Sequence, residues 1–211
     1  KPEFLKISPN NRMPAIVDPE GPDGKPISVF ESGAILQYLG RKSGRFYPSD
    51  ERKRVEVDEW LFWQVANLGP MAGKAGHFRN YAPRLVEDAK QLEYGQKRYL
   101  SELNRLYGVL DHRLGGREYV AGEYSIADMA IWPWTRNYAG YGEDLEKFPN
   151  MKAWHERMKA RPGVQRGIEK GQEVRSKAIT EQTPEELART AKALFGQTAA
   201  SVDAAAAAKQ G

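Results

Sequence analysis

Two short constellations near the start of this 211-residue chain carry residue types able to hold a charged ligand. The first is Asn10-Asn11-Arg12-Met13-Pro14, which leads into the apolar run Ala15-Ile16-Val17. A proline at a strand entrance is compatible with a plain edge-strand start. If its peptide bond is cis, the backbone before it turns outward. The N–H and C=O of Met13 would then be open to an extended peptide that pairs as an extra strand.

The second constellation is Glu31-Ser32, directly after Ile27-Ser28-Val29-Phe30. Serine and acids are favoured at helix N-termini, the acid by about 0.3–1 kcal/mol from the helix dipole. Capping is therefore one reading of the pair. The second reading uses the same physics. Open N–H groups and the Ser32 hydroxyl hold a carboxylate, and Glu31 beside them accepts from an ammonium group. An α-amino-acid head, with both charges on one carbon, meets both demands.

The elements that position these residues follow from local pattern. Residues 14–17 and 26–30 are short β-branched runs, and the turn residues Pro19, Gly21, Pro22, Asp23, Gly24 and Pro26 lie between them. This predicts a hairpin. Ser32 then opens a helix carrying Ile35, Leu36 and Leu39, closed near Gly40 or Gly44. A two-stranded sheet needs further strands or a covering element, so the rest of the domain is expected upstream of Lys1.

From Pro48 onward the pattern predicts helices only. One starts at Ser49-Asp50-Glu51 and is expected to be interrupted at Gly69-Pro70. Residues 83–114 read as one long helical segment stopped by Gly115-Gly116, with Leu92, Tyr99, Leu103, Leu106, Leu110 and Leu114 on one face. Ser125-Ile126-Ala127-Asp128 is a capping-box start for a helix that Pro133 should kink. Pro149 leads another helix, ended by Arg161-Pro162-Gly163. Thr183-Pro184-Glu185-Glu186 is a full capping box, and Leu187, Ala191, Leu194 and Phe195 form the stripe that follows. The alanine-rich residues 204–208 are expected to fray.

Bulk properties narrow the function classes. The net charge is +4 with acids and bases interspersed, and there is no Lys/Arg block of the kind that binds nucleic acid. Mean hydropathy is -0.68, and no apolar run approaches the ~20 residues of a membrane span. With no cysteine, disulfides, thiolate metal sites and a cysteine nucleophile are excluded from these residues. His77, His112 and His155 are too widely spaced for a zinc site and read as surface or helix-end residues.

The order Ser-Pro-Asn-Asn-Arg-Met-Pro-Ala-Ile-Val-Asp, then Phe-Glu-Ser-Gly-Ala-Ile-Leu-Gln-Tyr-Leu, resembles the glutathione S-transferase family. Tyr124-Ser125-Ile126-Ala127-Asp128-Met129-Ala130 is similar to the N-capping motif of that family's central helix. Lys1-Pro2-Glu3-Phe4-Leu5, Trp60-Leu61-Phe62-Trp63-Gln64-Val65, Leu68-Gly69-Pro70-Met71, Arg105-Leu106-Tyr107-Gly108-Val109-Leu110 and Ile131-Trp132-Pro133-Trp134 resemble its bacterial Nu class.

The resemblance implies an α/β plus all-α architecture. Residues 1–45 would be the C-terminal half of a thioredoxin-like, glutathione-binding domain, its first part absent from this chain. Residues 46–211 would be an all-helical substrate-binding domain with an extended tail. Glutathione is the implied cosubstrate: Glu31 and Ser32 hold its γ-glutamyl group, and the Met13 backbone, before a cis Pro14, pairs with its cysteinyl part. Asn11 or Arg12 meets the glycyl carboxylate, with a solvated strand-edge charge as the alternative for Arg12. Arg98 matches a further glutathione-holding arginine of the Nu class, against a plain Arg98–Glu102 surface pair.

The implied thiol-activating residue lies in a Thr/Asn turn upstream of Lys1, so the catalytic residue is unassigned. Phe78, Tyr81, Trp134 and Tyr138 are candidates for the substrate side, each with ordinary core packing as its alternative, as is Tyr141. The implied activity is attack of the glutathione thiolate on a disulfide or an aromatic electrophile. β-Aryl ether cleavage of lignin-type aromatics is a second reading, and a non-catalytic glutathione-binding regulatory module a third. A cytoplasmic homodimer with no nucleic-acid or membrane partner is expected.

Overall fold

A computed structural model describes residues 2–173 and 181–200. Its backbone divides into two compact units, Lys1–Ile35 with Ser176–Gly211, and Leu36–Arg175.

In the first unit, β1 (Ala15–Asp18) and β2 (Ile27–Phe30) form an antiparallel hairpin with Ala15 opposite Phe30 and Asp18 opposite Ile27. The turn between them needs left-handed backbone at Gly24 (φ 69°), which glycine adopts without a Cβ penalty. A short helix α1 (Pro2–Ile7) packs on both strands with Leu5 buried. It escaped the sequence reading because six residues are too few to show a helical period. Helix α2 (Ser32–Ser43) opens directly after β2, and Ile35 is buried. The last described helix of the unit, which follows the second unit in the chain, is Pro184–Phe195. Its expected capping box is present: the Thr183 N–H donates to Glu186 and the Glu186 N–H to Thr183 Oγ1. Leu187 is buried, whereas Leu194 and Phe195 stay 42% and 46% exposed, so only the start of the expected stripe packs. The alanine-rich stretch 204–208 lies outside the described residues.

The second unit is helical. α3 (Glu51–Trp63) is capped by the Asp50 carboxylate, which accepts from the Lys53 N–H at 3.0 Å. It runs through a widened turn, Gln64–Leu68, straight into α4 (Gly69–Gly76), and a second widened turn, His77–Tyr81, follows. The interruption expected at Gly69-Pro70 is therefore absent. The Gly69 N–H reaches back five residues to the Gln64 carbonyl, and that extra residue in the turn accommodates a proline with no N–H of its own.

The expected long segment from 83 is also shorter than read. Single turns at Ala82–Arg84 and Ala89–Leu92 precede α5 (Glu93–Leu114), because Pro83 and the capping carboxylate of Asp88 each start a new turn. α5 buries Leu103, Leu106, Leu110 and Leu114, as its spacing predicts. Each such leucine contributes about 1.5–3 kcal/mol.

α6 (Ile126–Thr135) is buried on nearly every side and retains Pro133 within it. Short α7 (Tyr138–Tyr141), α8 (Pro149–Lys159) and α9 (Pro162–Glu173) complete the unit; the Pro184–Phe195 helix is α10. Isolated bridges pair Tyr119 with Gly122 and Ala121 with Glu123, the one β pairing among the described residues after Pro48. His155 is 5% exposed and stacks on Trp132, not at the surface as read. One helical turn beyond Met151 and next to Trp154, it shares the inward face of α8. No helix of the described residues is long and apolar enough to cross a membrane.

Candidate functional site

Asn11, Arg12, Met13 and Pro14 form the loop that enters β1. The Met13–Pro14 peptide bond is cis. Ser8, fully buried, donates from its hydroxyl to the Arg12 carbonyl at 2.8 Å and accepts the Asn11 N–H on its own carbonyl at 2.9 Å. Asn11 takes left-handed backbone at φ 53°, a conformation asparagine tolerates better than most residues. The Arg12 guanidinium donates to the Leu194 carbonyl at 3.0 Å, and Asn11 Nδ2 to Gln197 Oε1 at 3.4 Å. Met13 is 86% exposed.

The strand register brings this loop to Glu31 and Ser32. Ala15 and Phe30 are the terminal pair of the ladder, so Pro14 and Glu31 are the next residues at the same hairpin end. The Glu31 carbonyl accepts the Ile35 N–H at 2.9 Å, which makes Glu31 the cap and Ser32 the first helical residue. Ser32 opens the helix, as the sequence predicts. Glu31 sits at φ 70°, and that left-handed turn swings the chain from strand into helix. A non-glycine residue pays about 1–2 kcal/mol for this conformation. No described residue pairs with the Glu31 carboxylate, and both Glu31 and Ser32 are exposed. The first turn of α2 leaves its N–H groups without helical partners. One hairpin end thus holds a free carboxylate, a hydroxyl, open N–H groups and the Met13 backbone.

The predicted substrate-side residues belong to the helical unit. Phe78 and Tyr81 occupy the turn after α4. Phe78 stacks on Tyr99 with ring centroids 5.2 Å apart. α5 fixes it further: Gln96 Nε2 donates to the Phe78 carbonyl at 3.0 Å, and Gly95 faces the ring so closely that a Cβ there would lie 2.2 Å from it. Trp134 packs its ring near Gly69 and Gly73, and its carbonyl accepts from the Tyr107 hydroxyl at 3.1 Å. Tyr138 stands edge-on to His155 at 6.0 Å, on the α8 side. Phe78 and Tyr81 are thus grouped on one turn, while Trp134 and Tyr138 answer to other neighbours.

Arg98 makes the plain surface pair weighed as its alternative, 3.6 Å from Glu102, and is about half exposed. Glu102 is shared with Arg105, whose hydrogen bond, and then the charge of Arg98, hold its carboxyl below the usual range.

His77 was missed as a neighbour of this group. Its ring stands edge-on to Phe78 at 5.5 Å and nearly parallel to Tyr81 at 6.3 Å, and burial pushes its pKa down. The signal was its position one and four residues before two rings on one helical turn. Among the described residues no group of three or more His, Asp or Glu side chains is placed to hold a metal ion.

Comparison with known proteins bears on both units. The model of the glutathione S-transferase N-terminal domain matches residues 1–41, and that of the C-terminal domain matches residues 77–162. The disulfide-bond oxidoreductase YfcG of Escherichia coli (strain K12) is 47% identical over 174 residues, which cover 82% of this chain and 78% of YfcG. A glutathione transferase of Burkholderia graminis, solved with two glutathione molecules per subunit, aligns with a TM-score of 0.75 at 44% identity, over 80% of this chain and 71% of that one. One from Pseudomonas putida, solved with one glutathione disulfide per subunit, gives 0.74 at 43% identity, over 80% and 74%.

Proposed function

Because the chain belongs to the glutathione S-transferase family, we propose that it is a Nu-type enzyme that uses glutathione to reduce disulfides. The observation that carries the reading is Glu31, held in left-handed backbone with its carboxylate unpaired beside the open first turn of α2. A γ-glutamyl head brings an ammonium for Glu31 and a carboxylate for the Ser32 hydroxyl and the α2 N–H groups. The Met13 backbone pairs with the cysteinyl part, as one added strand residue. Arg12, with one of its five donors on Leu194, keeps the rest for the glycyl carboxylate. Asn11 shares that end of the loop, and Arg98 is assigned the further contact found in the Nu class.

The proposed chemistry uses glutathione alone as the sulfur nucleophile; none of these residues is a cysteine. A glutathione thiolate attacks one sulfur of the substrate disulfide, forming a mixed disulfide and expelling a substrate thiolate. A second glutathione thiolate then attacks the mixed disulfide at the glutathione sulfur and releases the second substrate thiolate. Glutathione disulfide is the product, and both electrons come from glutathione. A free thiol of pKa about 8.5 is mostly protonated at neutral pH, so thiolate stabilisation is the task of the site. The relatives solved with two glutathiones or with glutathione disulfide support this stoichiometry.

We also assign the active form as a homodimer. Val55 and Phe62, seven residues apart on α3, present 47% and 60% of their surfaces on one helical face.

Calorimetric titration with reduced glutathione tests the reading. Two molecules per subunit, with turnover of a small symmetrical disulfide, are expected. One molecule per subunit with turnover of an aryl ether or a halogenated aromatic would replace it by conjugation chemistry. No binding would leave a non-catalytic module.

A further inference from the structure

Helix α2 opens at Ser32, inside the proposed γ-glutamyl cradle, and runs unbroken to Ser43. Its first-turn N–H groups point along the helix axis, so whatever fixes that axis aims the cradle. Gln37 lies five residues on, about 7.5 Å along the same axis.

The Gln37 side chain is held by a carboxylate of α3. Gln37 Nε2 donates to Asp58 Oδ1 at 2.8 Å. The Tyr47 hydroxyl donates to the same carboxylate, 2.9 and 3.0 Å from its two oxygens, and accepts from Gln37 Nε2 at 3.3 Å. One network thus joins α2, the segment after it and α3. Burial, and then the bond to Asp58, push the Tyr47 pKa up, so the phenol keeps its proton and remains a donor.

Two further observations make this network a clamp. Gly40 shares the face of α2 that carries Gln37, and a Cβ there would stand 2.7 Å from the Tyr47 Cβ. A larger residue would push the helix off its support. Tyr47 is in turn tied to α3. The Arg54 guanidinium lies over its ring, 5.8 Å from the centroid, and donates to the Pro48 and Ser49 carbonyls at 2.9 and 2.7 Å. α3 is a firm base, because Val57 and Leu61, which flank Asp58, are buried.

We propose that Asp58 is a positioning residue for glutathione. Through Gln37 and Tyr47 it holds the axis of α2, and with it the Ser32 hydroxyl and the first-turn N–H groups, in the orientation that receives the γ-glutamyl carboxylate. The assignment rests on the glutathione reading above and adds to it a residue that touches no ligand. The clamp acts on binding of the γ-glutamyl end, remote from the sulfur, so its loss weakens glutathione more than it slows the chemistry.

The test compares Asp58→Ala and Gln37→Ala in the whole chain, by calorimetric affinity for reduced glutathione and by steady-state reduction of a symmetrical disulfide. Each variant is expected to raise Kd and KM for glutathione about fivefold or more, as for one net hydrogen bond lost, with a smaller fall in kcat. The double variant should bind no more weakly than the weaker single one, because both cut the same link. Asp58→Asn keeps the shape and one acceptor oxygen. It should recover part of the affinity, and it carries the test if Asp58→Ala does not fold. Asp111→Ala is the control for stability alone. Asp111 accepts from the Asn150 and Met151 N–H groups at 2.8 and 2.9 Å, so its loss should lower the melting temperature and leave Kd unchanged. Wild-type affinity in Asp58→Ala, additive losses in the double variant, or an equal loss in Asp111→Ala would each overturn the assignment while the wild-type chain still binds glutathione. A wild-type chain that binds none would overturn the glutathione reading itself, and this assignment with it.

Discussion

Arg12 donates from Nη2 to the main-chain carbonyl of Leu194 at 3.0 Å, so the last turn of α10 ends on the loop that enters β1. The carbonyls of a final helical turn have no helical partner, and a cation there is worth about 0.3–1 kcal/mol. Asn11 and Gln197 add a second, longer contact at 3.4 Å. Arg12→Ala is expected to raise amide hydrogen exchange at 192–197 several-fold, with Arg12→Lys restoring part of the protection because it keeps charge but not the fork. Unchanged exchange in Arg12→Ala would remove this contact from the folded protein in solution.

Glu31 separates stability from function. Its backbone is left-handed, which glycine adopts freely, so Glu31→Gly should gain up to about 1 kcal/mol while losing the carboxylate. Glu31→Ala loses the carboxylate without relief. Both should raise KM for glutathione more than they lower kcat, because the ammonium contact is remote from the sulfur and serves ground and transition states alike. Denaturant unfolding beside steady-state kinetics reads both quantities. A KM for glutathione that stays at the wild-type value in both variants would take Glu31 out of the site.

Gly95 and Phe78 are coupled by space. A Cβ on residue 95 would stand 2.2 Å from the Phe78 ring, so Gly95→Ala must displace that ring. Overpacking costs about 1–3 kcal/mol, against a gain of about 1 kcal/mol in helix propensity. Gly95→Ala alone should destabilise, but in a Phe78→Ala background it should stabilise. A double-mutant cycle with no coupling energy would show that the ring does not rest there.

Much of this architecture was legible because local pattern and tertiary demand agree. The hairpin, the α10 capping box and the inner face of α5 each follow from spacing that packing then uses. The Gly69-Pro70 misreading has a definite cause: proline breaks a regular α-turn, but a five-residue turn before it was invisible to a 3.6-residue template. The left-handed turn at Glu31 was not readable, because positive φ at a glutamate has no sequence signature. The hairpin-end group was readable since its members lie on either side of one ladder. Sequence could not show that Arg45, Arg136, Arg161 and Arg166 line one cavity of the helical unit, for they are gathered only by the packing of α6, α8 and α9 with the segment after α2.

Asp128 offers the sharpest test of electrostatics in the helical unit. Its carboxylate is fully buried and accepts from the Val120 and Ser125 N–H groups, the Ser125 hydroxyl and Trp154 Nε1. Burial pushes its pKa up, and these donors pull against that without cancelling it. For an acid whose folded pKa lies above the unfolded value, the unfolded chain releases the proton first as pH rises. Asp128 therefore lowers stability between the ordinary carboxylate range, about pH 4, and its folded pKa, and the loss is constant above. Asp128→Asn abolishes this slope and turns an NH2 group toward N–H donors, costing about 1–3 kcal/mol. Unfolding free energies of both proteins from pH 4 to 7 should show a deficit in the variant that is largest at the acid end and shrinks as pH rises. A deficit that grows with pH would mean that the four donors outweigh burial and hold the carboxylate ionised.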